Sequence, residues 1–380
     1  MTAASHHAPR LCIVTPTHSP GHAGGAEYQI DCFIGVLSTL NSHEIYYLSG
    51  SPSPDEEPST YHTVRVGHAT GTPRFGYLTQ ARPLYEALST IRPEAIYQRV
   101  ACGYTGVCGY YAKRNRARFI WHVAHDSDVT PGLSLDGRNP VRRFLEKRSV
   151  EYGIRGASGI VTQTRTQARL LERHYRRAPD AIIPNFQPFP AEKPDKSGEI
   201  RVVWIASLKP WKHPEAFLNL ADACRDLPGV RFLMVGPQGV GSGERPWAQA
   251  VLSRIHATPN LEYLGSRTQS EVNELLARSH IFVNTSHQEG FPNTFIQAWM
   301  REAVVVSLQV DPDGVLATQG MGLFCRDDEQ TLAKAVRTLV TDSGLRTRYA
   351  AKGRVHAMQH HSLENARGLA RLVCAQGDRS

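Results

Sequence analysis

The sequence predicts an α/β protein of two doubly wound domains, and three observations carry that prediction. Short apolar runs rich in β-branched residues alternate with stretches of helical periodicity, the pattern of parallel sheets flanked by helices. The alternation runs twice, on either side of Phe186–Gly198, where Pro188, Pro190 and Pro194 stand among charged residues and read as a linker. The chain's 380 residues exceed what one ordinary core takes up, so two domains are the natural division.

In the first half, strands are expected at Leu11–Thr15, Glu44–Leu48, Thr63–Val66, Ala95–Tyr97, Phe119–Val123, Gly159–Thr162 and Ala181–Ile183. Helical periodicity fills Tyr28–Leu40, Leu78–Ile91, Val141–Ile154 and Thr166–Arg176. After the linker, strands are expected at Arg201–Ala206, Arg231–Val235, Leu261–Leu264 and Ile281–Asn284. Helices at Pro214–Arg225, Trp247–His256 and Glu271–Ala277 interleave with them, and the last third turns helical through Glu329–Val340, Leu345–Met358 and Leu363–Cys374. The expected division is residues 1–188, residues 199–358, and a closing helix in 359–380.

Composition bounds the function classes. A hydrophobic content of 41% and a charged content of 21% describe a soluble globular chain and exclude disorder. No run of 18 apolar residues occurs, and the first apolar run, Leu11–Val14, is too short for a signal peptide, so a cytoplasmic location is expected. The seven cysteines are scattered and never spaced Cys-x-x-Cys, which predicts free thiols and neither a disulfide framework nor a zinc site.

The strongest local signal is Glu289-Gly290-Phe291-Pro292-Asn293-Thr294-Phe295-Ile296-Gln297, which follows an apolar strand and opens a helix. A strand, a glycine turn and a helix start leave backbone N–H groups at the positive end of a helix dipole, a geometry suited to a diphosphate. Glu289, at the loop mouth, could accept hydrogen bonds from sugar hydroxyls or balance developing positive charge. Alone, Glu289 and Asn293 would more commonly be plain helix caps. A second segment, Trp204-Ile205-Ala206-Ser207-Leu208-Lys209-Pro210-Trp211-Lys212-His213-Pro214, ends a strand where ligands of α/β sheets bind, which favours phosphate contact for Lys209 and Lys212 over a solvated role.

The first of these loops resembles the Glu-x7-Glu motif of glycosyltransferase family 4, retaining enzymes with the GT-B fold of two Rossmann-like domains facing across a cleft. By that resemblance Glu289 contacts the donor sugar, and the amides around Gly290, Phe291, Pro292, Asn293 and Thr294 contact the donor phosphates. The second Glu of the motif is Gln297 here, which still offers a carbonyl and an amide to a ribose diol. Lys212 matches the family's lysine, while the usual arginine is Ser207, so Lys209 would supply the second charge.

Two weaker matches lie in the first half. Gly21-His22-Ala23-Gly24-Gly25-Ala26-Glu27 resembles the family's glycine-rich loop, with Gly24 and Gly25 on the donor side. Trp121-His122-Val123-Ala124-His125-Asp126 matches its His-Asp pair, with His125 beside the transferred sugar and His122 a packing residue. Val310-Asp311-Pro312-Asp313-Gly314 resembles a loop of bacterial members that act on polysaccharide or lipid-linked acceptors. The candidate catalytic residues are therefore His125 and Glu289, with no metal ligands and no cofactor beyond the nucleotide-diphosphate sugar that serves as donor.

The resemblance implies hexosyl transfer to a glycan or lipid-linked glycan. A nucleotide-sugar epimerase or phosphorylase of the same fold and a catalytically silent nucleotide-sugar-binding protein compete with it, the last on the strength of Ser207 and Gln297. Nucleic-acid binding has only the pI of about 9.2 behind it and no motif. The net charge of +8 is local: Lys113–Arg177 holds fifteen Lys/Arg against six Asp/Glu. Arg165, Arg169, Arg173 and Arg176 share one helical face, and Arg142, Arg143, Lys147 and Arg148 add to the same domain. This excess extends the expected location to a peripheral one at an anionic cytoplasmic membrane face.

Overall fold

The computed structural model describes residues 8–18, 24–50, 58–66, 80–130, 140–238 and 245–375. They fall into two units, one formed by the chain up to Phe186 together with Leu363 onward, the other by Gln187–Ser362. In chain order the first stretch holds β1 (Arg10–Thr15), α1 (Gly25–Leu40), β2 (Glu44–Ser49), β3 (His62–Arg65), α2 (Ala81–Ile91), β4 (Ala95–Arg99), α3 (Gly103–Asn115), β5 (Arg118–His122), α4 (Pro140–Gly156), β6 (Gly159–Thr162), α5 (Arg165–Tyr175) and β7 (Ala181–Ile182). The second holds β8 (Ile200–Ile205), α6 (Pro214–Ala223), β9 (Val230–Val235), α7 (Arg245–Ala257), β10 (Leu261–Tyr263), α8 (Gln269–Arg278), β11 (Ile281–Asn284), α9 (Asn293–Met300), β12 (Val304–Ser307), β13 (Gly322–Phe324), α10 (Glu329–Thr341) and α11 (Ser343–His360), and α12 (Glu364–Cys374) closes the chain.

The first unit is a parallel sheet in the order β3-β2-β1-β4-β5-β6-β7. Leu11, Cys12, Ile13 and Val14 of β1 are all fully buried, because both faces of the sheet are covered. Side chains alternate across a strand, so Leu11 and Ile13 join the layer of α1 and α12, and Cys12 and Val14 the layer of α2 and α3. The closing helix α12 packs Ala366, Leu369, Ala370 and Val373 into that first layer with Ile30, Phe33 and Leu37 of α1. The order reverses between β1 and β4, which puts the carboxyl ends of β1, β4 and β5 at a topological switch point.

Helix α3 is missing from the expected elements, for a physical reason. It carries Gly103, Gly106 and Gly109, poor helix formers, and its buried residues occupy most of its circumference, so no amphipathic rhythm marks it. Those glycines let α4 approach: a Cβ on Gly153 of α4 would overlap the Thr105 carbonyl, and one on Gly109 would meet the Gly153 backbone at 2.9 Å.

The second unit is a parallel sheet in the order β10-β9-β8-β11-β12-β13, reversing between β8 and β11. Val202 and Trp204 of β8 pack with Phe217 and Phe232, while Val203 faces Phe282, Phe295 and Trp299. Strands β12 and β13 are also absent from the expected elements. Ala303–Val306 follows α9 so closely that its apolar run reads as more helix, and β13 has only three residues. The expected linker segment forms no helix or strand; Gln187, the first residue of the second unit, donates its backbone N–H to the His361 carbonyl at 3.0 Å.

Candidate active site

At the β8/β11 switch of the second unit, two loops from strands adjacent in space but far apart in sequence meet. After β8 the chain makes a short turn at Pro210–Lys212, in which Lys212 N–H bonds the Lys209 carbonyl at 3.0 Å. After β11 it runs through Thr285–Pro292 into α9. Trp204 Nε1 donates to Thr285 Oγ1 at 2.9 Å, and Thr285 Oγ1 donates to the Lys212 carbonyl at 2.8 Å. Within that frame Lys212 Nζ and a Glu289 carboxylate oxygen form a direct ion pair. Their side chains are only 15% and 10% exposed, so water screens little of the attraction. Removing one partner from such a buried pair costs about 3–5 kcal/mol, because the other charge is left uncompensated. Lys212 Nζ also lies 4.1 Å from the centroid of the Trp211 ring, which it shares with Lys209 at 6.0 Å.

Gly290, Phe291 and Pro292 are buried, and Asn293 and Thr294 are half-buried at the start of α9. Phe291 anchors the turn through His361, 4.7 Å away between ring centroids. No side-chain cap hydrogen bond is made at Pro292, the Ncap residue of α9, and the amino end of the helix is the positive end of its dipole. Gln297 lies a turn further in, 2% exposed, with its amide Nε2 donating to Gln269 Oε1 at 2.9 Å and Asn273 Oδ1 at 3.0 Å on α8. Ser207 is half-buried at the end of β8. Beside it Gly236, at φ +148°, is required by space, because a Cβ would overlap the Ala206 carbonyl. Asp311 accepts from the amides of Leu316 at 2.7 Å and Ala317 at 3.1 Å, so its carboxylate organises its own loop.

In the first unit, Gly24 is the Ncap of α1 and Gly25 its first residue, with no side-chain cap. Gly21, His22 and Ala23 of the glycine-rich segment lie outside the described residues. His125 is exposed just past β5. Its loop is held from both sides: Asp128 Oδ2 accepts the backbone N–H groups of Ala124 and His125, both at 2.9 Å. Gln163 Nε2 donates to the carbonyls of Val123 and Ala124 at 2.7 and 2.9 Å. Sequence reasoning missed both residues and pointed to Asp126. The signal available was the His-x-x-Asp spacing, in which the fourth residue reaches back to the first. His122 is fully buried against the Tyr97 hydroxyl at 2.7 Å and Arg99 Nη1 at 3.3 Å. Burial, reinforced by the Arg99 charge, drives its pKa well below the usual imidazole range, so it stays neutral. Among the described residues no group of three or more His, Cys, Asp or Glu is placed to hold a metal ion.

Comparison with known proteins bears on this geometry. Residues 199–342, which contain the Lys212–Glu289 pair, match the family model of glycosyl transferases group 1. A D-inositol 3-phosphate glycosyltransferase of Stackebrandtia nassauensis is 24% identical over 257 residues, covering 62% of this chain and 58% of the relative. The phosphatidylinositol N-acetylglucosaminyltransferase gpi3 subunit of Schizosaccharomyces pombe is 25% identical over 168 residues, 43% of this chain and 35% of that protein. The matched stretches thus span less than two thirds of either relative's length. Anabaena Alr3699/HepE, solved in complex with UDP and glucose, superposes with a TM-score of 0.75 over 97% of this chain and 100% of its own, at 16% identity. That likeness concerns the fold, which is GT-B.

Asp128→Ala leaves the buried Ala124 amide and the part-buried His125 amide without their acceptor, and a buried unsatisfied donor costs about 1–3 kcal/mol. The expected result is a lower urea midpoint and faster hydrogen exchange at the amides of Ala124 and His125. Exchange unchanged at both would show that the carboxylate does not hold the loop.

Proposed function

We propose that the chain is a retaining glycosyltransferase that moves a hexose-type sugar from a nucleoside-diphosphate sugar to a glycan or lipid-linked glycan, without a metal ion. The observation that carries the reading is the Lys212–Glu289 pair beside the uncapped start of α9. A cation, a carboxylate and a positive helix end are what a sugar diphosphate needs, and in the absence of ligand the two side chains neutralise each other. An arriving diphosphate takes Lys212 and the amides of Asn293 and Thr294. Glu289 is then released to accept hydrogen bonds from sugar hydroxyls. Charged hydrogen bonds of this kind contribute about 1.5–3 kcal/mol each.

In the transfer itself, the bond between the anomeric carbon and the diphosphate oxygen breaks as the acceptor oxygen attacks from the same face. The acceptor proton passes to the departing phosphate oxygen. Lys212, Lys209 and the α9 amides stabilise the charge that grows on the diphosphate, and Glu289 stabilises the positive charge on the sugar. His125 keeps the place beside the transferred sugar that the family resemblance gives it. Gln297 would meet the ribose through its carbonyl, since its amide is engaged on α8. The cations and amides fill the charge-neutralising role that a divalent metal fills in other transferases.

A peripheral membrane location at the cytoplasmic face accompanies this reading. Arg165, Arg169, Arg173 and Arg176 are all exposed along α5. Helix α4 exposes Val141, Phe144 and Leu145 at 65%, 61% and 48%, near Lys147 and the exposed Arg148. The side chains of Arg142 and Arg143 lie outside the described residues. Apolar side chains among cations suit an anionic bilayer surface, where each cation contributes about 1 kcal/mol. No described helix is long and apolar enough to cross a membrane.

Glu289→Ala should abolish transfer, while Glu289→Gln should keep donor binding and lose turnover, because the charge matters most in the transition state. Lys212→Ala should lose more activity than Lys209→Ala; a near-normal kcat for Glu289→Ala would sink the assignment. Treatment with EDTA should leave the rate unchanged, and inhibition reversed by Mg²⁺ or Mn²⁺ would contradict the metal-free reading. The protein should sediment with phosphatidylglycerol vesicles and not with phosphatidylcholine vesicles, less so as salt rises. Retention in the supernatant at low salt would remove the membrane from the proposal.

A further inference from the structure

The turn that carries Lys212 is strained at its last residue. His213 has φ +50° and ψ +56°, the left-handed region. A side chain with a Cβ is disfavoured there, and Pro214 separately biases the residue before it toward extended backbone. Glycine or asparagine would sit more easily, yet the residue is a histidine. Its ring stacks on His287, with centroids 4.8 Å apart and planes within 20°. The ring's Nδ1 is buried with no hydrogen-bond partner, so the imidazole contributes its flat face and not that polar atom.

His287 is itself fixed at two points. Its backbone N–H donates to the Trp211 carbonyl at 3.0 Å, and its Nδ1 lies 2.7 Å from Gln309 Oε1, in the loop after β12. The stack therefore joins the turn after β8 to the loop after β11. Lys212 immediately precedes one ring, and Glu289 follows the other by two residues. Strain at a ligand site persists only where its surroundings over-determine it, and here the stacked face joins two backbone bonds, His213 N–H to the Pro210 carbonyl at 3.0 Å and Ala216 N–H to the His213 carbonyl at 3.3 Å.

We propose that the His213–His287 stack is a positioning device that holds the strained turn so that Lys212 meets the donor diphosphate. Both are positioning residues, acting through Lys212 and not on the substrate. The inference rests on the donor-site reading and adds to it which side chains set the cation in place.

Calorimetric titration of the full chain with UDP and with GDP tests it. Binding of neither by the wild-type chain overturns the donor site and the stack with it. His213→Gly removes the ring and relieves the backbone, so it should weaken nucleotide binding by about tenfold with little change in Tm. His213→Phe keeps a flat face and should restore binding to within about threefold of wild type. His287→Ala, at an exposed position that tolerates truncation, should match His213→Gly, and the double variant should be no weaker than either, because one stack is lost in all three. If His213→Gly binds as the wild type does, if Phe fails to rescue, or if the two losses add, the proposal is wrong.

Discussion

The candidate site depends on one interaction, the ion pair between Lys212 and Glu289, two residues 77 apart in sequence. Chain order cannot bring them together; sheet order does. Because the strand order reverses between β8 and β11, the loops leaving those strands emerge side by side at one edge. The backbone then fixes the pair: Thr285 holds the Lys212 carbonyl, and the His287 amide holds that of Trp211. Two mostly buried charges are tolerable because each is the other's counter-ion. The same burial makes Lys212 attractive to any anion able to displace the carboxylate.

The helix starts differ in how they are capped. Helices α5, α8, α10 and α11 are each capped by a threonine or aspartate side chain. Helices α1, α2, α6, α9 and α12 have no side-chain cap hydrogen bond. The loop after β5 takes the opposite course, since Asp128 already occupies the amides of Ala124 and His125. An anion is favoured where the positive end of a helix dipole and a cation converge, and the start of α9 lies in the loop that carries Glu289, the partner of Lys212. Around His125, by contrast, the backbone is satisfied internally and the exposed imidazole is what the loop presents.

The alternation of apolar runs made the first sheet and the strands β8 to β11 of the second legible, because a strand buried on two faces must be apolar throughout. Helix α3 was illegible for the converse reason: its glycines serve contact with α4 and erase the periodicity that betrays an amphipathic helix. Of the site, Glu289 and Lys212 could be placed from the sequence because a glycine turn opening a helix and a strand-end lysine are local patterns. Thr285, Gln163 and the His213–His287 stack could not, since their parts depend on contacts across loops and their residue types carry no fixed role. Asp128 was within reach, as a carboxylate three residues past His125, but Asp126 lies nearer in sequence and drew the reading away.

Gln297 shows how a departure from a family pattern can follow from its surroundings. At 2% exposure, a carboxylate there would be charged and nearly out of water. The two atoms that the Gln297 amide meets on α8 are Gln269 Oε1 and Asn273 Oδ1, both acceptors. A glutamate in the same rotamer would set its negative charge against two carbonyl oxygens unless both amides turned their N–H groups inward. A glutamine instead supplies the two donors these oxygens require and ties α9 to α8 one turn past the amino end of the helix. The side chain thus anchors α9 in the direction that matters for its dipole, while a neutral carbonyl remains the chemistry it can offer a ribose.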